Sequence, residues 1–302
     1  MSFRNKAEKY RLTAEEAIQD FFISEAEKKQ IPPMLYEAMT YSLMAGGKRV
    51  RPVLCIAGAE LSGVKENLKK VLPMAVALEI FHTATLIHDD LPCMDDDEIR
   101  RGKPTCHVVY GEAPALLAGD AMPLWGLNHA IEGLIKNQVP LENIINALKI
   151  FLESAGPAGV LGGQSLDIYH YEEKDMEDII IITSMKTGDL IKASVKTGAV
   201  LAGIAGEELK SVDSYGYYLG TCFQIIDDIL DETATASDLG KTPGKDKIQN
   251  KNTFVSLLGL NEARLLAENC TDKAISALDL FYSGRKGNFL RDFAKNLLNR
   301  AF

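Results

Sequence analysis

The chain has 302 residues, 46% of them hydrophobic and 25% charged, a composition that suits a sizeable core and excludes a disordered chain. Its formal charge of −9 argues against non-specific nucleic-acid binding, which needs a surplus of Lys and Arg, but a local basic cluster could still take an anionic substrate. The five cysteines (Cys55, Cys93, Cys106, Cys222 and Cys270) are widely spaced and form no C-x-x-C, so a disulfide framework or zinc site is not expected and a reduced, cytoplasmic setting is.

The first residues carry charges throughout and contain no apolar signal core. The stretch 8–28 predicts an amphipathic helix. Pro32 and Pro33 suit the first turn of the next, where a missing N–H costs nothing, and Gly46-Gly47 ends it. Residues 51–61 follow, then 67–90, apolar for most of its length and so expected at the centre of a bundle. Helical spacing continues over 116–136, 141–154, 173–205 and 210–230, and finishes with 261–282 and 287–300. The four isoleucines 179–182 are the best strand candidate, yet they sit inside a helix-period window. The segment 233–252 reads as a long loop of the kind that carries function. No apolar run nears the roughly 18 residues that suggest a membrane span. An all-α chain with one domain over residues 1–302, not membrane-spanning, is the expectation.

Three clusters carry chemistry. Asp89, Asp90, Asp95, Asp96, Asp97 and Glu98 place six carboxylates in ten positions, with Arg100, Arg101 and Lys103 following at once. A solvated acidic loop is the plainer reading of such a run. Here, however, Asp89 and Asp90 close an apolar helix at its C-terminus, where the helix dipole disfavours negative charge and uncompensated carboxylates invite a cation. Asp227, Asp228 and Asp231 close a second apolar stretch. Asp227 and Asp231 are four apart, share a helix face and repel unless neutralised. Two such clusters suit Mg²⁺, which takes one or two carboxylates and fills its remaining positions from substrate phosphate and water. The third cluster is Gly46-Gly-Lys-Arg-Val-Arg-Pro52, where Lys48, Arg49 and Arg51 open a helix after a glycine turn. A helix N-terminus and cations together attract phosphate, although a basic surface turn would look the same. It is not a Walker A loop, and Gly240-Lys241-Thr242 lacks that motif's first glycine. His82 lies seven residues before Asp89 and on the same face, where a packed core histidine is the plainer reading. Lys186-Thr187-Gly188 interrupts a long helix, a common feature of sites.

With these residues in order from about residue 10 to the end, the chain resembles the trans-isoprenyl diphosphate synthases: bacterial geranyltranstransferases and plant-like farnesyl and geranylgeranyl diphosphate synthases. The resemblance implies one large all-α bundle around a deep central cavity, usually a homodimer. It also implies a prenyltransferase that joins isopentenyl diphosphate to dimethylallyl, geranyl or farnesyl diphosphate, with Mg²⁺, three ions when substrate is bound. By similarity, Asp89, Asp90 and Asp95 hold metal from one side and Asp227, Asp228 and Asp231 from the other. Lys48, Arg51, His82 and Arg101 match positions on isopentenyl diphosphate; Arg100, Lys186, Lys241 and Lys251 match those on the allylic diphosphate. Lys186, Thr187 and Gln224 form the catalytic group, the last two steadying the allylic cation. Farnesyl-making bacterial relatives carry an aromatic residue five before the first Asp, where this chain has Ala84, next to Thr85. Phe81 stands about 4.5 Å deeper along a helix rising 1.5 Å per residue. A lower floor at Phe81 favours a C20 product within a C15–C20 range. A class I terpene cyclase would lack the second aspartate motif and the isopentenyl site, a non-catalytic partner subunit usually loses one motif, and a phosphohydrolase would need a histidine cluster that is not evident.

Overall fold

The computed structural model describes residues 2–28, 31–168, 175–233, 252–282, 284 and 287–300. The described residues are almost entirely helical, as expected. α1 (Phe3–Lys28) buries Tyr10, Ala14, Ile18, Phe21 and Phe22, spaced as one helical face. α2 (Pro33–Leu43) opens with Pro33 and stops before Gly46 and Gly47, both at positive φ. α3 (Val50–Glu60) is buried from Pro52 to Ala59.

The expected helix over 67–90 is two. α4 (Asn67–Lys70) ends at Val71, and α5 (Leu72–Asp89) restarts with Pro73 in its first turn. Proline has no N–H, and in a continuous helix its ring would meet the carbonyl of Lys69, so the break falls there. A two-residue antiparallel hairpin follows, β1 (Ile99–Arg100) and β2 (Lys103–Pro104), with Ile99 opposite Pro104 and Arg100 opposite Lys103. Then come α6 (Cys106–Tyr110), α7 (Glu112–Lys136), α8 (Leu141–Ala155) and α9 (Val160–Ile168). Among the described residues, Leu141–Ile168 is long and apolar enough to cross a membrane by length and composition, which counting unbroken apolar runs overlooks. A turn at residues 156–159 divides it, and Ile144, Ala147 and Phe151 of α8 are buried in the core.

The isoleucine run is helical. It lies in α10 (Met176–Thr183), started by a capping box in which Asp175 Oδ1 accepts from the Glu177 N–H at 2.8 Å and the Asp178 N–H at 3.0 Å. A π-helical turn, Ser184–Gly188, separates α10 from α11 (Asp189–Leu201), where the interruption was expected. α12 (Gly206–Thr233), α13 (Phe254–Leu258), α14 (Leu260–Asp279) and α15 (Asn288–Leu298) complete the chain.

Three apolar clusters make the core. One joins α3, α11, α12, α14 and α15; a second joins α3, α5, α7, α8 and α11; a third joins α1, α2, α5 and α7. α5 is buried on nearly every side, as its composition predicted, and each of its fully buried large side chains contributes roughly 1.5–3 kcal/mol. α3 and α11 cross backbone to backbone. A Cβ at Gly58 would sit 2.1 Å from the Val195 carbonyl oxygen, and one at Gly198 would sit 1.9 Å from that of Cys55. This contact fixes the helix that follows the basic turn against the helix that follows the π turn. Gly198→Ala should therefore cost about 3 kcal/mol through overpacking and lower Tm by several degrees in a thermal melt; an unchanged Tm would show that the crossing is not tight.

Candidate active site

The acidic run is folded back on itself. The Asp95 N–H donates to the Asp89 carbonyl at 2.8 Å and the Asp96 N–H to the Leu91 carbonyl at 3.2 Å, with Asp96 at φ 49°. Asp89 and Asp95, six apart in sequence, are thereby brought close. Burial pushes the Asp89 carboxyl up to about 6; Lys186 pulls the other way, while Asp95 and Asp90 add to the rise. Asp90 is 4% exposed and raised by burial against the pull of Arg100.

The hairpin separates the two arginines. Arg100 turns back to the acids: its Nε donates to Asp90 Oδ1 at 2.6 Å, and its Nη2 lies 2.5 Å from the same oxygen and 3.3 Å from Asp97 Oδ2. Arg101, at φ 54°, goes the other way and donates to the Gly46 carbonyl. Its guanidinium lies where a Cβ on Gly47 would come within 3.1 Å. Glycine at position 47, φ 147°, is needed for both conformation and space. The Tyr41 hydroxyl holds the hairpin by donating to the Pro104 carbonyl at 2.7 Å, and the Thr105 hydroxyl donates to the Asp97 carbonyl at 2.7 Å.

The basic turn behaves differently from its sequence. Arg49 is not exposed as Lys48 is. It caps α3 at φ 50°, is 2% exposed, and is fully engaged inside the protein. Its Nε donates to Glu15 Oε1 at 2.9 Å, its Nη1 to Glu79 Oε1 at 3.0 Å and its Nη2 to the Leu43 carbonyl at 2.8 Å. Arg49 is thus a structural anchor between α1 and α5. Lys48 stands within electrostatic reach of Asp227, its pKa held down by partial desolvation and by Arg300. Arg51 is brought down to about 10 by burial, with Glu79 and Asp227 opposing the fall and Arg101 adding to it. His82 is driven well below its ordinary value by burial and by Arg51, Arg101, Arg100 and Arg49, so it is neutral at physiological pH. Arg51, His82 and Arg101 lie within electrostatic reach of one another, and Lys48 and Arg51 each lie within reach of Asp227.

Lys186 and Thr187 project from the π turn. The Lys186 ammonium donates to Asp167 Oδ2 at 2.7 Å. Burial lowers its pKa, but Asp167, Asp89 and Asp95 together raise it further, so Lys186 is charged and faces the first aspartate motif. α9 lies so close that a Cβ on Gly163 would be 2.3 Å from the Lys186 nitrogen. On the other side Gly220 of α12 abuts Gly188, which sets Thr187 opposite Gln224. The Thr187 hydroxyl donates to Gln224 Oε1 at 3.0 Å, and Gln224 Nε2 donates to Asp228 Oδ1 at 2.8 Å. Asp228 Oδ2 accepts from the Phe254 N–H at 3.0 Å. Asp228 and Asp231 are buried, and Asp227 is half-buried near the basic turn.

The donors are hard carboxylate oxygens, crowded and partly desolvated. Among the described residues no three His, Cys, Asp or Glu side chains form a ready cage. Carboxylates supplied singly or in pairs from α5 and α12 fit Mg²⁺, whose other positions go to phosphate and water. Phe81 and Ala84 lie in different core clusters. Phe81 meets the Phe151 ring edge-on at 5.4 Å between centroids, whereas Ala84 belongs to the cluster of Ile18, Phe21 and Trp125. The Thr85 hydroxyl is tied to the His82 carbonyl at 2.8 Å. Lys241 and Lys251 lie outside the described residues. Glu15, Glu79 and Asp167 are ion-pair partners of Arg49 and Lys186 that the motifs did not point to. Glu79 had a signal, as the one acidic residue between Val71 and His88.

The polyprenyl synthetase family model matches residues 32–279. A dimethylallyltranstransferase of Fischerella ambigua is 45% identical over 254 residues, 83% of this chain and 72% of that protein. Large subunit 1 of the chloroplastic heterodimeric geranylgeranyl pyrophosphate synthase of Arabidopsis thaliana is 41% identical over 80% of this chain, which spans 66% of that protein's length. The crystal structure of a geranyltransferase from Legionella pneumophila superposes with a TM-score of 0.84 at 30% identity, covering 99% of this chain and 97% of its own. The chain belongs to the polyprenyl synthetase family.

Thr187, Gln224 and Asp228 are joined in one hydrogen-bonded chain. Gln224→Leu should lower kcat for prenyl transfer by on the order of tenfold, and Thr187→Val/Gln224→Leu should be no worse than the worse single variant; additive losses in steady-state assays would show that the two act separately.

Proposed function

We propose that the protein is a magnesium-dependent trans-prenyltransferase that condenses isopentenyl diphosphate with dimethylallyl, geranyl or farnesyl diphosphate, with geranylgeranyl diphosphate, C20, as its main product. The observation that carries this reading is the placement of two carboxylate clusters at the ends of α5 and α12, with charged Lys186 facing the first and Lys48 and Arg51 within reach of the second.

Asp89, Asp90 and Asp95 would hold Mg²⁺ on one side and Asp227, Asp228 and Asp231 on the other. Bound there, Mg²⁺ supplies Lewis acidity that neutralises the leaving diphosphate. Lys186 adds a fixed positive charge on the same side, with Arg100, Lys241 and Lys251 assigned to that diphosphate as well. Lys48, Arg51, Arg101 and neutral His82 hold the diphosphate of isopentenyl diphosphate so that its double bond reaches the allylic carbon. As the allylic C–O bond breaks, the Thr187 hydroxyl oxygen and the Gln224 amide oxygen lie beside the developing cation. The new carbon–carbon bond forms, and a proton leaves to the departing diphosphate. No protein nucleophile is needed. Such a cation needs surroundings that exclude water, which would quench it.

The packing of Phe81 on Phe151 gives the proposed floor a rigid backing. Exposed apolar side chains on α7 (Leu117, Leu124, Ile135) and α8 (Leu141, Ile145, Leu152) support pairing of two copies through that face. Five unpaired cysteines, four of them buried, agree with a reducing, cytoplasmic setting. Residues 1–302 are read as one polyprenyl synthase domain.

Incubation with Mg²⁺, isopentenyl diphosphate and each allylic primer, followed by dephosphorylation and identification of the alcohols, should give the C20 alcohol. Phe81→Ala should lengthen the product and Ala84→Tyr should shorten it. A wild-type product stopping at C15 would remove the C20 assignment, and an unchanged profile in both variants would remove the floor from these positions.

A further inference from the structure

Glu79 lies one helical turn before His82 and is 1% exposed. Its Oε1 accepts from Arg49 at 3.0 Å, while its Oε2 is buried with no hydrogen-bond partner. The Nε of Arg51 is likewise buried with no partner. An ion pair this deep is weak evidence for stability, because a well-packed apolar replacement often does as well. Its position suggests another use. Arg49, Arg51 and Arg101 converge from two separate segments, the start of α3 and the hairpin, and both of those segments meet at the Gly46-Gly47 turn. Three guanidiniums crowded together repel one another. After burial, the Glu79 carboxylate is the largest influence on the charge of both Arg51 and Arg101. Glu15 shares Arg49 from the outer side, at 2.9 Å, but reaches it from α1 rather than from α5.

We infer that Glu79 is a positioning residue for the isopentenyl-diphosphate subsite: it draws Arg49 inward as an anchor and leaves its second oxygen as the shared internal counter-charge that sets Arg51 and Arg101 in place for the incoming diphosphate. The inference rests on the reading of Lys48, Arg51, His82 and Arg101 as that subsite. Two effects compete when Glu79 is neutralised. Loss of a negative charge makes the field more attractive to an anion. Loss of the shared counter-charge lets the guanidiniums separate and spoils a charge-assisted geometry. Charge-assisted contacts depend on alignment, and a misplacement of about 1 Å is able to cost on the order of a hundredfold, so the geometric effect wins.

The test uses the full chain with Glu79→Gln, Glu79→Asp and Glu15→Gln. Glu79→Gln should raise KM for isopentenyl diphosphate by about tenfold while kcat and KM for the allylic diphosphate change by less than about twofold. Glu79→Asp, which keeps the charge, should restore most of the loss, and Glu15→Gln should show a smaller rise in the same KM. Calorimetric titration with inorganic diphosphate in the presence of a metal chelator reads the same cations without turnover, and Glu79→Gln should bind more weakly. A lower KM for isopentenyl diphosphate, an equal rise in both KM values, or a loss of Tm with both KM values unchanged would overturn the inference. Where Glu79→Gln fails to fold, an unchanged KM for isopentenyl diphosphate in Glu15→Gln, or unweakened diphosphate binding in that variant, overturns it equally. A wild-type chain that elongates no primer would refute the proposed activity, and diphosphate titration would still decide the role of Glu79.

Discussion

Like charges gathered at the ends of buried helices repel, and the rest of this structure answers that constraint. α5 ends in carboxylates at its dipole-negative terminus, and α12 ends in three more. Neither terminus is stable in isolation. Arg100 is brought back by a hairpin of two residue pairs to meet Asp90, and Lys186 is brought forward by a π turn to face Asp89. At the first motif, a bound divalent cation would add the positive charge that brings carboxylates and anionic phosphates together. Burial is the main cause of the raised carboxyl of Asp89, and the like charges of Asp95 and Asp90 add to it.

The same logic runs with opposite sign at the basic turn. Arg51 and Arg101 feel the Glu79 carboxylate without a salt bridge to it. Arg49 takes that partnership instead, closed off by Glu15 and Glu79. One member of a four-residue run is thereby made structural, and its neighbours are left out of that ion pair. Glycine enables both halves of the arrangement: Gly47 makes room for the Arg101 guanidinium, and Gly163 and Gly220 let α9 and α12 close on the π turn.

Helix spacing, proline and glycine placement and the aspartate pairs were legible in the chain. Lys186-Thr187-Gly188 read as an interruption and proved to be a π turn. Asn67 to Asp90 read as one helix because periodicity is blind to the carbonyl that Pro73 would strike. The short helices α6, α9 and α13 had too few turns to show a period, and Asp167, the partner of Lys186, went unseen with α9. The split of Arg100 from Arg101 depended on a hairpin too short to alternate.

By itself, then, the sequence determined which residue types gather at each helix end, because spacing along a helix converts directly into a shared face. It determined the central burial of α5, because an apolar surface all round has nowhere else to go. Only the tertiary structure decided which cations are consumed in interior ion pairs and which are not. Arg49 and Arg51 are two residues apart and chemically alike, and their different fates follow from Glu15 and Glu79, whose separation from them in sequence carries no periodic signal and whose approach exists only once α1, α3 and α5 have packed.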